Sequence, residues 1–454
     1  MIAAMVVALS LSAEPATLTL EQVREMSRRQ LDAVKAEYDV TRANENVRTA
    51  RSAILPQLIG NAGVGYNWSG PQVYYAQVPT IDPATGRLSG FTLKAEDIPV
   101  NTDRETFQLG LTLNQLLYDG GKWWNQISQA GASKEAAEGQ LAEQRLAAEF
   151  EAVRRFYELY KAQVTLDVLN ASVTRSQQQL ERAKSLYEAG RGQRRDALDA
   201  DVNLGNDRIA AIRQQQTITA ASGDLLAWLG QPMSNVRAAN PGTLDPKLQS
   251  AEPPPDPDAI AFAREHRPLL ASLAAAQRSA ERSIDVANSN YLPQVSATAG
   301  YTRYSPVAKP FFTDPSRQNN LNVGLNLNWN LFNGLSTDSA AKTAEANASQ
   351  ARIQLEYAQR QMEVDVAKAA ASVRVQQQVI AVAQANYETA KQVVTLSSER
   401  FNAGAGSTLD VRDAELKLTQ AELSLVQGRI DLEEARAALD RMTGAAMQNK
   451  EKAP

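Results

Sequence analysis

After Leu55-Pro56-Gln57 the chain alternates: Leu58, Gly60, Ala62, Val64, Tyr66 and Trp68 share one parity, and Asn61, Gly63, Gly65 and Asn67 the other. A two-residue period of this kind predicts a strand with one apolar face. The same pattern follows Leu292-Pro293-Gln294, where Val295, Ala297, Ala299 and Tyr301 oppose Ser296, Thr298, Gly300 and Thr302. Two return strands are clearer still. Phe107, Leu109, Leu111 and Leu113 alternate with Gln108, Gly110, Thr112 and Asn114, and Leu321, Val323, Leu325, Leu327 and Trp329 with Asn322, Gly324, Asn326, Asn328 and Asn330. Around the strands the period changes. No proline occurs between Pro99 and Pro232 or between Pro315 and Pro454, and these spans are rich in Ala, Gln, Glu, Arg and Leu, which are good helix formers. From Gly121 to Ala189 and from Gly334 to Ala403 nothing breaks the helix, and about 69 residues at roughly 1.5 Å each give about 100 Å. Helices of about 35 residues return to Gly230 and Gly444.

The stretch is written twice. A shift that carries Gly110, Asn114 and Gly120 onto Gly324, Asn328 and Gly334 also carries Gly190, Gly192, Asp196, Asp199 and Gly230 onto Gly404, Gly406, Asp410, Asp413 and Gly444, without a gap. An ungapped duplication this long implies that length and register both matter, as in a rod. Each copy opens with a further helix, read over residues 19–54, with Thr19 near its start, and over 269–291. The expected organisation is repeat one over 14–230, a proline-rich linker over 231–258 lying as an irregular belt, repeat two over 259–444, and a polar tail over 445–454. The Leu-Pro-Gln junctions lie further apart than the return strands, so the first hairpin loop, 69–106, is longer than the second, 305–318. Both carry Pro and Asp, the first also Tyr, and both are expected to face outside.

Four strands with one greasy face and one neutral polar face suit a transmembrane barrel. Their length, about ten residues, crosses a bilayer when tilted. The alternative is a soluble sheet on a core, but nothing else in the chain is apolar enough to cover that face. Aromatic residues gather where strands meet helices, namely Tyr118, Trp123 and Trp124 in copy one and Tyr291, Trp329 and Phe332 in copy two, and these read as a membrane-interface girdle. Four strands cannot close a barrel, and open edges in lipid leave backbone groups unpaired. The chain must therefore oligomerise, a trimer being the simplest ring that leaves a bore.

Composition adds little. The formal charge of -4 gives no reason to expect nucleic acid as a partner. The chain contains no cysteine, which excludes disulfides, thiolate metal sites and the cysteine-linked anchor of a lipoprotein. Residues 1–13, MIAAMVVALSLSA, resemble the core and cleavage zone of a signal peptide, although a basic n-region is missing.

The helical tips read LYEAGRGQRRDALDAD over 186–201 and RFNAGAGSTLDVRDAE over 400–415. With the doubled layout, the Leu-Pro-Gln junctions and the glycine after each return strand, they resemble the TolC-like outer membrane efflux protein family, over nearly all of the mature chain. The resemblance implies a mainly α fold with a transmembrane β-barrel: a homotrimer with a 12-stranded barrel in the outer membrane, continued by a 12-helix α-barrel in the periplasm. It implies an exit duct for a tripartite efflux or type I secretion system, whose partners are a periplasmic adaptor and an inner-membrane transporter. The adaptor contacts would fall on Gly190, Arg191, Gly192, Arg194 and Arg195 of the first tip and Arg400, Phe401, Gly404 and Gly406 of the second. The first tip departs from the family pattern, having Leu186-Tyr187 for Arg-Phe and three arginines.

Asp410 and Asp413, like Asp196 and Asp199, are three apart and share a helix face, and all four are candidates for a periplasmic gate. The resemblance makes Asp410 and Asp413 carboxylate rings that close the periplasmic mouth. From local chemistry alone, Ser407 to Asp410 equally reads as a capping box. Catalysis has little footing. His266, the one histidine, is placed at a helix entrance in a capping or exposed role, and neither GxxxxGK[ST] nor HExxH occurs. No enzyme activity, metal or cofactor is expected. The rival reading from another class is a soluble periplasmic coiled-coil scaffold or adaptor.

Overall fold

The structure is a computed structural model, and it describes residues 16–69, 72–98, 102–242, 253–314 and 319–445. The leader, residues 243–252 of the linker and almost all of the tail lie outside the described residues. The chain divides into a helical unit (1–45, 131–279, 348–454) and a sheet unit (46–130, 280–347).

In the sheet unit, β2 (Gln57–Ser69), β5 (Thr102–Tyr118), β7 (Gln294–Ser305) and β8 (Asn319–Asn328) form one antiparallel sheet in that order. The register places the alternating residues in common rows: Leu58, Leu113, Ala299 and Val323 lie side by side, as do Gly60, Leu111, Tyr301 and Leu321. Paired residues project to the same side, so all four strands turn their apolar set to one face. In the middle of β5 that face is the more open one. Leu109, Leu111 and Leu113 are exposed while Gly110 is buried and Thr112 half-buried, and Leu321, Val323, Leu325 and Leu327 are 67–77% exposed.

The first hairpin loop is not simply a loop. Its extra residues form a second antiparallel hairpin of β3 (Gln72–Ile81) and β4 (Leu88–Ile98), and β2 and β5 run longer than the expected ten residues. Along β4, Phe91, Leu93 and Ala95 alternate with Thr92 and Lys94, the strand signal that the turn-rich composition masked. The second loop contains a short helix, α7 (Ala308–Thr313).

In the helical unit, the long helices α3 (Lys122–Glu188) and α8 (Ser336–Asn402), which start in the sheet unit, are 67 residues each. Their return helices are α4 (Arg194–Trp228) and α9 (Thr408–Thr443). The expected helix over 19–54 is two. α1 (Leu20–Ser27) carries a full capping box between Thr19 and Gln22, and α2 (Leu31–Ser52) restarts where Gln30 accepts from the backbone N–H of Asp32. The bond between Ser27 and the Arg24 carbonyl helps to end the first piece. The second copy also begins with two helices, α5 (Asp256–His266) and α6 (Pro268–Asn288). His266 therefore closes a helix instead of opening one, stacked on Phe262 at 4.1 Å with its ring bonded to the Phe262 carbonyl.

Nor is the linker wholly irregular: β6 (Val236–Ala238) pairs in parallel with β1 (Ala16–Leu18). Their Leu18, Val236 and Ala238 close a core with Val23, Phe156, Leu159, Leu225 and Ile430. A second core joins Ala263, Leu270, Met362, Val366, Ala370, Val373, Leu432 and Leu439. The two sit at corresponding places in the duplication, since Leu159 and Leu225 in the first are the counterparts of Val373 and Leu439 in the second. α3 and α6 approach closely, with the Ser272 hydroxyl donating to the Ala136 carbonyl at 2.8 Å.

Candidate functional site

Both helix-to-helix turns are built by the same bonds. At the first, Gly190 takes φ 71°, its N–H donates to the Tyr187 carbonyl and that of Arg191 to Leu186. At the second, Gly404 takes φ 73°, with bonds from Gly404 to Phe401 and from Ala405 to Arg400. This is the left-handed close that satisfies the last carbonyls of a helix. Arg400 adds a side-chain bond to the Ala405 carbonyl. Arg191, Arg194, Arg195 and Arg400 are exposed, and Gly192, Gly406 and Phe401 are half-buried.

The carboxylates divide. Asp410 completes a capping box with Ser407, accepting the Ser407 N–H at 2.9 Å. That backbone bond, then the serine hydroxyl, holds the Asp410 carboxyl below its ordinary value. Asp413 is exposed and paired with Lys417 at 2.6 Å. At the first tip Gln193 makes no side-chain cap bond, and Asp199 pairs with Arg195 within its own helix. Asp196 and Asp199 line a cavity of about 70 Å³ with Gln179, Thr408, Leu409 and Arg412. Asp410 and Asp413 are not among its walls.

The polar centre behind the tips escaped sequence reasoning. Arg412 grips Asp207 through two bonds of 2.9 Å and also donates to Ser176. The Ser172 and Ser176 hydroxyls donate to the same carboxylate. Burial works against charge on Asp207, but Arg412 and the serines outweigh it and its pKa lies below the ordinary value. Glu415, buried nearby, is pushed up by burial, and Arg175 reaches Thr419. Elements of both copies are thereby tied: α3 and α4 from the first, α9 from the second. A signal existed. Arg412 stands where the first copy has Leu198, and Asp207 where the second has Ala421, so opposite charges replace uncharged residues at two positions of the repeat.

Where strands meet helices, Tyr118, Trp124, Tyr291, Trp329 and Phe332 are exposed. Trp123 is half-buried, edge-on to Trp124 at 5.5 Å. Trp329 donates its indole N–H to the Tyr291 carbonyl. Leu117, Leu331 and Leu335 are exposed as well. The elbow at Gly120 is tight: at φ 71°, an added Cβ would lie 2.7 Å from the Leu292 Cβ and 2.9 Å from the Ser289 carbonyl. Its counterpart Gly334 has φ 65° and open space around it.

A family model described as "Outer membrane efflux protein" matches residues 23–231 and 259–445. The outer membrane protein TolC of Vibrio cholerae is 25% identical over 323 residues, covering 70% of this chain and 65% of that protein, a little under two thirds of its length. The outer membrane efflux protein BepC of Brucella suis is 23% identical over 373 residues, covering 82% of this chain and 73% of BepC. Among solved structures, CusC shares the fold with a TM-score of 0.77 at 18% identity, over 96% of this chain and 95% of that one. The family match sets aside the soluble scaffold or adaptor. The chain belongs to the outer membrane efflux protein family and resides in the outer membrane.

Proposed function

We propose that this chain is the subunit of a trimeric outer-membrane channel, the exit duct of a tripartite efflux or type I secretion system, opened at its periplasmic tips by an adaptor and an inner-membrane pump. The observation that carries the reading is the open sheet, with β2 and β8 as its edges. Unpaired backbone in lipid costs several kcal/mol per group, so β8 of one copy pairs with β2 of the next, and three copies give twelve strands. The chain is organised as the two repeats 14–230 and 259–444, and the duplication indicates how the ring closes. Leu55 corresponds to Leu292, which fills the space against Gly120, so Leu55 of a neighbouring copy belongs against Gly334.

Exposed apolar seams support the same assembly. Leu198, Val202, Ile209 and Ile212 run along α4, and Val375, Val379, Val382, Val393 and Leu396 along α8, at heptad spacing. The α8 seam borders a groove of about 760 Å³ shared with α9. Leu55→Arg should leave the subunit folded but abolish the trimer, measured by mass in detergent, whereas Leu292→Arg should unfold the subunit's own elbow. A trimer that tolerates Leu55→Arg contradicts the closure.

The duct is passive and catalyses no reaction. The adaptor docks at the turns Gly190–Arg195 and Phe401–Ser407, and Asp410 with Asp413, backed by Asp196 and Asp199, forms the mouth. Carboxylates from three copies converging on an axis concentrate cations. Asp410→Ala with Asp413→Ala should weaken cation block of single-channel current. Asp410→Asn with Asp413→Asn should weaken it equally, since Asn retains the cap acceptor and removes only the charge. Block unchanged in both variants removes the ring from the mechanism.

A further inference from the structure

At the end of β5 opposite Tyr118, the apolar face of the sheet runs into a cluster that the girdle described above does not include. The segment after β7 turns back as α7 (Ala308–Thr313). Arg303, whose register partner is Leu109, projects from the apolar face. It is buried and donates to the carbonyls of Phe311 and Asp314 at 2.6 and 2.7 Å and to that of Pro310 at 3.3 Å. Its guanidinium lies 5.3 Å from the centre of the Phe311 ring. Phe107, on the same face, meets Phe311 at 5.8 Å and Phe312 at 6.3 Å between ring centres. The helix is therefore fastened onto the face that carries Leu111, Leu113 and Val323, not onto the face of Gly110 and Asn322. What it presents outward is apolar, with Phe312 73% and Val307 52% exposed. Tyr66 and Trp68 stand on the same face of β2 and are exposed too.

We infer that residues 306–314 form a lipid-seated clasp: α7 lies on the outside of the barrel at the outer bilayer interface and inserts Phe312 and Val307 among the lipids, instead of covering the mouth. The inference rests on the barrel reading above. The occupant follows from continuity, because the cluster prolongs the Leu and Val band on the same side of the same strands. Its height agrees. From Tyr118 to Phe107 is 11 positions of β5, about 36 Å along the strand at roughly 3.3 Å per residue, or about 25 Å across the membrane at a tilt near 45°. That is the height of an apolar band between two aromatic girdles. Arg303 suits the position because its charge is met by backbone carbonyls at the negative end of α7 and covered by a ring.

The test uses the absence of cysteine from the sequence. Nitroxide labels are placed singly through Phe312→Cys, Val307→Cys, Leu325→Cys and Asn322→Cys in the full chain reconstituted in phospholipid vesicles. Collision rates with oxygen, which partitions into lipid, and with a water-soluble nickel chelate are then compared. The expected result is several-fold oxygen preference at 312, 307 and 325, with the opposite preference at 322. Nickel preference at 312 and 307, with 325 still in lipid, overturns the clasp and leaves the barrel standing. Nickel preference at 325 as well overturns both.

Discussion

Arg412→Ala should destabilise the tip of the subunit by about 3–5 kcal/mol, the usual cost of stripping one partner from a buried ion pair. Arg412 and Asp207 are 12% and 13% exposed, so the orphaned carboxylate would keep only the Ser172 and Ser176 hydroxyls. Hydrogen exchange in α3 near Ser176 and in the first turns of α9 should quicken. On the proposed duct reading, the variant should also conduct more in a planar lipid film with no other protein added. Asp207→Leu with Arg412→Leu should recover most of the stability, because two apolar residues of fitting size replace a pair whose desolvation was costly. At 412 this restores the leucine that the first copy carries at Leu198. The tie should not respond to ordinary pH changes. Asp207 has a lowered pKa, so its contribution is present above the unfolded carboxylate value and is lost only as pH falls through the lower folded one. Unchanged exchange in Arg412→Ala would refute the assignment.

The opposite sign applies at Glu434, the second large effect. Burial, then Asp431, pushes its carboxyl up to about 7, with Glu158 adding to the rise against Lys161 and Arg154. The nearby cations are already engaged, Lys161 with Asp431 at 3.5 Å and Arg154 with Glu151 and Glu158 at 2.7 and 3.3 Å. A folded pKa above the unfolded one means that the folded state holds the extra proton. Stability therefore falls as pH rises from the ordinary glutamate value to about 7 and is level beyond it. Glu434→Gln should flatten that slope and stabilise the protein at pH 8, by about 1–2 kcal/mol once the solvated part of the carboxylate is discounted. Denaturant midpoints of wild type and variant at pH 5 and pH 8 decide it. Equal slopes with pH would show that Glu434 is ionised throughout.

Much of the architecture was legible because it rests on long, repetitive signals. The strands of the main sheet follow from strict alternation, and the 67-residue helices from the absence of proline between glycines that later take positive φ. What escaped was local or asymmetric. The break at Arg28 to Gln30 leaves no glycine or proline in the sequence. The β3 and β4 hairpin lies in a stretch whose Pro, Gly and Asp read as loop. The pairing of β1 with β6 brings together residues more than two hundred positions apart, which no local pattern records. At the tips, the Ser407 to Asp410 cap was readable from spacing, whereas the pairing of Asp207 with Arg412 needed the fold to bring two copies together.

The sequence by itself determined the period of each element, its length and the twofold writing of the whole, because backbone hydrogen bonding and side-chain parity act over neighbouring residues. Only the tertiary structure decided which charges meet, which glycine elbow is filled and which is open, and on which face the segment after β7 lies. Those outcomes depend on distances between residues far apart in the chain, and such distances exist only once the helices and strands have packed.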